Sequence, residues 1–321
     1  MKKTMISELE VGQQYSLTLA VLSANVKETK AKRAFLALEL YDGKEKITGN
    51  FWNWDGKYFP EKNSVVTLTA IITEWQGTKQ LNIKDMLKDE NTPITDFMPQ
   101  SPSDIDEAFS EAYNIAQDIS DATLRSLCTI ILKDMSTQWR IAPGATSVHH
   151  AYAAGTLIHS LSVAKIAKNI ALQIPEANVD LASAGGLLHD VGKLLAYKLD
   201  IISCEMTDEG KMFDHLILGA NLIIDYAKYL DFWNVSTEGE KVSLLLHIIL
   251  SHHGKLEYGS PVTPMCLEAY IVHYADMIDA TTEMIRTAAE KKITEKWTDK
   301  IWALDNKPHI NPKYTKVIIG R

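Results

Sequence analysis

The apolar residues of this chain change their period once. Before about residue 90 they recur at every second position, and after about residue 104 at every third or fourth. A period of two lines one face of a strand and a period near 3.6 lines one face of a helix, so the two stretches cannot share one kind of element. Gln14–Ala24, Arg33–Leu40, Lys46–Trp52, Ser64–Thr73 and Lys79–Ile83 read as strands, with Asp42-Gly43, Asp55-Gly56 and Gly77 as turn signals. Five short strands with no room for a helix pair predict a small closed or partly open barrel. The OB-fold is the five-stranded candidate and an SH3-like barrel the alternative. Residues 91–103 hold three prolines and no helical period, and read as a linker.

Beyond the linker, helices are predicted over Ile105–Asp118, Ala122–Met135 (capped by Asp121), His150–Ile174, Val179–His189, His215–Leu230, Glu240–His252 and Pro264–Lys291. Thr263 is expected to cap the last of these, with Pro264 in its first turn. The turn residues Thr207–Gly210 predict a short hairpin between Ile201 and Phe213. The expected fold class is a multidomain α+β chain: a five-stranded OB-like barrel over 1–90, a linker over 91–103, an all-helical domain over 104–290 and a basic tail over 291–321.

Net charge is −8, divided unevenly. Residues 1–90 carry 13 basic and 12 acidic groups, 91–290 carry 12 and 26, and 291–321 carry 8 and 3. An acidic body repels a polyanion unless bound cations invert the local field, whereas the near-neutral front and basic tail are free to touch phosphates. No apolar run is long enough for a membrane span, and MKKTMISELE lacks the apolar stretch of a secretory signal. Three widely spaced cysteines (Cys128, Cys204, Cys266) suit a reducing cytoplasm and offer no zinc-finger spacing.

All ten histidines lie at or after His149, within the helical part. A lone histidine on a helix is more often a hydrogen-bonded structural residue than a ligand, but here several cluster in apolar runs. In GLLHDVGK, His189 and Asp190 are adjacent, and Gly192 permits a helix end that lets both address one site. An imidazole beside a carboxylate is a divalent-metal pair, the carboxylate can bridge two ions, and Lys193 places a cation nearby for a phosphate oxygen. His159 in GTLIHSLS, the pair His252-His253 in ILSHHG, and Asp276 in EAYIVHYADMIDA supply further candidates. A buried Asp276 needs a cation or a full set of donors, and His273 shares its helix face. In the barrel, Trp52, Trp54, Tyr58 and Trp75, with Lys44, Lys46 and Lys57 near them, offer stacking platforms and charge for a single strand.

Taken together, His159, His189-Asp190 and Asp276 resemble in order and context the HD superfamily of metal-dependent phosphohydrolases. His215 in FDHLILGA and the His252-His253 pair match the additional ligands of its two-ion members. That resemblance implies one ion on His159, His189, Asp190 and Asp276, and a second on Asp190, His215, His252 and His253. Two-ion relatives that cleave cyclic dinucleotides carry Gly-Tyr-Pro after the histidine pair, and GKLEYGSP here does not. An OB-like barrel followed by an HD domain, with the phrases VHHAY, GTLIHSLSVAK, LLHDVGK, ILSHHGKLEYGSP and EAYIVHYADMIDA, resembles the YhaM family of 3′–5′ exoribonucleases. One departure is Asp214 before His215, where that pattern leads one to expect glycine.

The activity this implies is attack of a metal-bridging hydroxide on the last phosphodiester of single-stranded RNA, or of single-stranded DNA, releasing nucleoside 5′-monophosphates. Asp190 and Lys193 would carry the chemistry, His149 and His150 would orient the terminal nucleotide or protonate the leaving oxygen, and Trp52, Trp54 and Trp75 would hold the strand. Mixed nitrogen and oxygen ligands favour Mn²⁺, Fe²⁺ or Co²⁺ over Mg²⁺, with Mn²⁺ the first choice. A homo-oligomer is compatible with this scheme. The competing readings are a phosphodiesterase or nucleotidase for small nucleotides, and a nucleic-acid-binding protein with a vestigial metal site.

Overall fold

The computed structural model of the chain describes residues 4–98, 101–145, 152–199, 204–233, 236–290, 292 and 295–319. These divide into two units, one built on the first hundred residues and the other beginning at Ser101.

The first unit is a closed barrel of β1 (Gln14–Glu28), β2 (Ala34–Tyr41), β3 (Lys46–Phe51), β4 (Val65–Trp75) and β5 (Thr78–Lys88), in the order β1-β2-β3-β5-β4. β1 serves twice. Its first half pairs with β4, from Gln14↔Ile71 to Ala20↔Val65, and its second half with β2, from Ala20↔Tyr41 to Glu28↔Ala34. A register shift between Val21 and Ser23 bends the strand between these two pairings. β3 and β5 pair in parallel and the remaining neighbours antiparallel, which is the OB arrangement. Leu19, Val21, Leu36, Leu40, Leu68, Ile72 and Leu81 fill the interior. The strands outrun the sequence expectation: β1 continues to Glu28 and β5 to Lys88, through stretches where alternation fails because Val26 and Leu87 are exposed and Met86 and Leu87 are adjacent.

The boundary between the units falls within the expected linker, whose first part is folded. A single 3₁₀ turn over Ile94–Phe97 packs Phe97, fully buried, against Ala20, Leu22 and Val65 of the barrel. Burial of one phenylalanine outweighs the disorder that the prolines around it suggest.

The second unit is helical among its described residues. It comprises α1 (Ile105–Gln117), α2 (Ala122–Asp134), α3 (Ser136–Ile141), α4 (Gly155–Ala171), α5 (Val179–Leu188), α6 (Lys193–Ala196), a hairpin of β6 (Tyr197–Leu199) and β7 (Cys204–Met206), then α7 (Asp208–Tyr229), α8 (Ser236–Ser251), α9 (Leu267–Glu290) and α10 (Pro312–Ile319). Asp104 and Asp121 cap α1 and α2 through their carboxylates. α5 is the central helix: residues Leu181–Leu188 are all buried, and α2, α4, α8 and α9 pack around it. The α4–α5 contact is close because of Gly186, where a Cβ would stand 2.6 Å from Ala164 Cα.

Several details differ from expectation. Thr207–Gly210 is the first turn of α7, with Thr207 accepting the Gly210 N–H; the hairpin precedes it. α9 begins at Leu267, leaving Thr263 and Pro264 in the preceding loop. The basic tail is folded onto α9: Trp297 bridges Ile310, Ile301 bridges Lys307, and buried Asn311 donates to the Lys292 carbonyl at 2.9 Å. No described helix is long and apolar enough to cross a membrane.

Candidate functional site

Five elements of the helical unit deliver seven side chains to one place. His159 stands in the middle of α4, His189 and Asp190 at the end of α5, His215 on α7, His252 and His253 just past α8, and Asp276 on α9. Asp190 lies at the centre. Its Oδ2 is 3.3 Å from Nε2 of both His159 and His189, while its Oδ1 is 3.4 Å from His215 Nε2 and 3.6 Å from His252 Nε2. Asp276 Oδ1 is 3.2 Å from His159 Nε2. His215, His252 and His253 form a second group whose ring nitrogens lie within 4.8 Å of one another.

The hydrogen-bond network fixes which nitrogen of each ring faces inward. His189 Nδ1 donates to Gly186 O at 2.9 Å, His252 Nδ1 to Ile249 O at 2.8 Å, and His253 Nδ1 to Tyr258 O at 2.9 Å. His159 Nδ1 donates to Asp279 Oδ2 at 2.7 Å and His215 Nδ1 to the Asp214 carboxylate. In the neutral form all five imidazoles therefore turn an Nε2 lone pair inward, toward carboxylate oxygens and toward each other, and without a cation His159 takes up a proton there instead; His159 and His189 Nε2 are 3.1 Å apart. Acceptors so placed repel one another unless a cation lies among them. Asp190 Oδ1 and His215 Nε2 are buried with no hydrogen-bond partner among the described residues. Each such orphan costs about 1–3 kcal/mol, more when charged. Donors about 2.0–2.2 Å from a shared first-row ion lie roughly 3.0–3.4 Å apart, close to the 3.1–3.6 Å seen here. The residues thus fit a divalent-metal centre.

The electrostatics agree. Burial opposes a charged His159, yet the carboxylates of Asp190, Asp276 and Asp279 outweigh it and hold the imidazole well above its ordinary pKa. Burial, the leading influence on His215, His252 and His253, pushes all three below theirs. Burial raises the Asp190 and Asp276 carboxyls, but Lys193 and His189 hold the first, and His159 the second, well below the carboxylate range. A pocket that draws a proton onto buried His159 will draw a metal cation more strongly.

Two partners escaped the sequence reading. Asp279 orients His159 from across 120 positions of chain. Its one signal was its place three residues after Asp276 on the same helix face. Asp214 orients His215 from the adjacent position, at φ 60° and ψ 160°, inside the kink of α7. That backbone region is held almost only by glycine and costs about 1–3 kcal/mol for other residues. Two other expectations change. His273, on the Asp276 helix, donates Nδ1–H to the His252 carbonyl at 2.7 Å and so buttresses the histidine pair from behind. The helix does end beside Gly192, α5 stopping at Leu188 and α6 starting at Lys193, but Gly192 itself is right-handed helical (φ −65°). It is glycine because a Cβ would stand 1.9 Å from the His215 carbonyl oxygen and 2.5 Å from Gly219 N. Gly192→Ala should therefore cost about 3 kcal/mol, the upper end of the overpacking range. The resulting fall in Tm, roughly 10 °C, is checked by thermal unfolding.

Lys193 is buried, its ammonium donating to Asp190 Oδ2 and to Gly144 O, each at 2.7 Å. Burial works against its charge, but Asp190 holds its pKa above the ordinary lysine value. His149 and His150 lie outside the described residues.

In the barrel the three tryptophans part company. Trp52 is 46% exposed and lies against Phe35 with ring centroids 4.3 Å apart, and Trp75 is 66% exposed at the β4–β5 turn. Trp54 packs on the barrel core and donates its indole N–H to Tyr58 O at 2.7 Å, the core-packing alternative to a stacking platform. A groove of about 330 Å³ crosses the outer faces of β1, β2, β3 and β5, lined by Asn25, Lys27, Glu39, Thr48, Asn50 and Gln80. The aromatic search passed over it, although Thr48 and Asn50 alternate with Ile47 and Gly49 in the sequence.

Residues 156–281 match the HD domain family, a span holding all seven clustered side chains. Three curated relatives, each a 3′–5′ exoribonuclease YhaM, align along almost the whole chain. That of Oceanobacillus iheyensis is 30% identical over 97% of this chain and 98% of its own. That of Geobacillus sp. (strain WCH70) is 30% identical over 98% and 97%, and that of Bacillus subtilis (strain 168) 29% over 96% and 98%. Among solved structures, a domain of replication protein A from Methanococcus maripaludis covers 27% of this chain and 93% of its own at 22% identity, with a TM-score of 0.24. The barrel assignment rests on strand register, not on that match.

Proposed function

The chain belongs to the YhaM family of 3′–5′ exoribonucleases, and from that premise we propose that it removes nucleotides singly from the 3′ end of single-stranded RNA, with single-stranded DNA as a second substrate. It is a hydrolase with an HD domain, and that domain implies dependence on divalent metal. The observation that carries the finer reading is the ring of inward-facing Nε2 atoms around Asp190, with Asp190 Oδ1 and His215 Nε2 buried and unpartnered among the described residues.

We assign His159, His189, Asp190 and Asp276 to one cation and Asp190, His215, His252 and His253 to another, with Asp190 shared. Mn²⁺ is the favoured ion because the donor set mixes imidazole and carboxylate. When bound, such ions supply Lewis acidity toward a phosphoryl oxygen and a water nucleophile active at neutral pH. Asp279, Asp214 and the backbone carbonyls that hold the Nδ1 protons keep the five rings from turning. Lys193 spends two donors on Asp190 and Gly144, which leaves a third for a phosphoryl oxygen of the scissile bond. Its first effect is then to hold Asp190 ionised and oriented. His149 and His150 remain candidates for the terminal nucleotide. We place the reaction in the cytoplasm, in keeping with three widely spaced cysteines, of which Cys128 and Cys266 are free.

The strand is proposed to reach the barrel through the amide-lined groove and the Phe35–Trp52 pair. Trp52→Ala should weaken oligonucleotide binding about 10-fold, since one stacked base is worth roughly 1–3 kcal/mol. Hydrolysis of a small chromogenic diester should stay near wild type. Equal loss on both substrates would show a folding defect and remove Trp52 from the binding surface.

The deciding experiment is digestion of 5′-labelled single-stranded RNA with Mn²⁺, with and without chelator, read on a gel. A metal-dependent ladder that shortens from the 3′ end is expected. Cleavage of mononucleotides or dinucleotides alone would replace this reading with a small-nucleotide phosphodiesterase, and tight binding without turnover would replace it with a binding protein.

A further inference from the structure

Three of the five inward-facing imidazoles are oriented by backbone carbonyls, and His159 by a carboxylate on another helix. His215 differs, because its Nδ1 partner is the side chain of the preceding residue, Asp214. Asp214 makes that contact from φ 60° and ψ 160°, a backbone that glycine adopts freely and aspartate does not. A glycine would relax the kink and leave the His215 ring without an acceptor on this side. His215 Nε2, at the other end of the same ring, is buried, unpartnered among the described residues, and 3.4 Å from Asp190 Oδ1.

We infer that Asp214 is a positioning residue for the cation centre. Its carboxylate holds the Nδ1–H tautomer of His215 and so aims the Nε2 lone pair at the position shared with Asp190. The inference rests on the metal-centre reading above. Local strain and site geometry are two sides of one substitution: the side chain that distorts the helix is the one that orients the ligand. A carboxylate behind a ligating imidazole fixes the ring and makes its other nitrogen more basic, and loss of such a partner costs about 10–100-fold in metal affinity.

The test uses the full chain, stripped with chelator and titrated calorimetrically with Mn²⁺, in wild type, Asp214→Gly and Asp214→Asn. Thermal unfolding of the metal-free forms runs alongside. Asp214→Gly should melt a few degrees higher without metal, because the strained backbone relaxes. It should nevertheless bind Mn²⁺ about 10–100-fold more weakly in one of the two binding events. Asp214→Asn places the same demand on the backbone as aspartate and retains an acceptor oxygen without the charge, so its affinity should fall between the other two. A residue that merely shaped the kink would move the melting temperature and leave the Mn²⁺ affinity alone. Unchanged affinity in Asp214→Gly therefore overturns the inference while the metal centre stands. A wild-type chain that takes up no Mn²⁺ overturns the centre and the inference together.

Discussion

Asp190→Asn is expected to lower turnover on RNA by more than about 10³-fold, well beyond the 10–100-fold that loss of an outer partner costs. The two oxygens of this carboxylate face different groups: Oδ2 toward His159 and His189, Oδ1 toward His215 and His252. Asparagine keeps the shape but has one acceptor oxygen and no charge, so it can serve at most one of the two groups. Its amide N–H₂ would then point at imidazole lone pairs on one side and compete with a cation there. The substitution also takes the counter-ion from Lys193, which is buried and 2.7 Å away. Breaking a buried pair in this way costs about 3–5 kcal/mol, so the variant should melt lower while remaining folded by circular dichroism. Bound Mn²⁺ per chain, measured after dialysis, should drop with activity. Turnover within 10-fold of wild type, at full metal content, would remove Asp190 from the shared position.

Stripping the metal should abolish turnover, and Mn²⁺ should restore it. Stability should change as well, since a ligand at 100 times its Kd adds about 2.7 kcal/mol per site. The pH dependence separates metal-free from metal-bound protein. His159 has a folded-state pKa well above its unfolded value, so its contribution is fully present below about pH 6.5 and is lost as pH rises through the folded pKa. His215, His252 and His253 are shifted down, and their contribution is present above about pH 6.5 and fades below it. Above about pH 6.5, then, His159 alone among these four weakens the metal-free fold as pH rises. Mn²⁺ should bind more tightly over the same range, because it displaces the His159 proton. In chelator the melting temperature should fall with rising pH, and with Mn²⁺ the fall should vanish or reverse. Parallel curves in both conditions would place the cation away from His159.

Much of the molecule could be read before its structure was known. Alternating runs such as Arg33–Leu40 and the helical period after Asp104 are local patterns, and they yielded the barrel and the helices. The reading failed where a local rule met a tertiary contact. Thr263-Pro264 looks like a helix start but lies three residues short of α9, and Phe97 looks like linker but is buried against β1 and β4. Trp54 could be a platform or a core residue by pattern, and only the folded barrel shows it packed on the core with its indole N–H on Tyr58 O.

Six of the seven side chains at the centre announced themselves by type, as imidazoles and carboxylates in apolar segments where an unpaired polar group is costly, and His215 was named only through the resemblance to the HD superfamily. That much is a property of the sequence, because desolvation depends on the residue and its immediate neighbours. Which ring nitrogen faces inward, why Gly192 must lack a Cβ, and which carboxylates stand behind His159 and His215 were decided only when the helices packed. Those facts depend on atoms up to 120 positions apart and on a backbone angle at Asp214 that no propensity favours. Hydrogen-bond direction and steric clearance are set by distances between elements, and one-dimensional spacing holds no record of them.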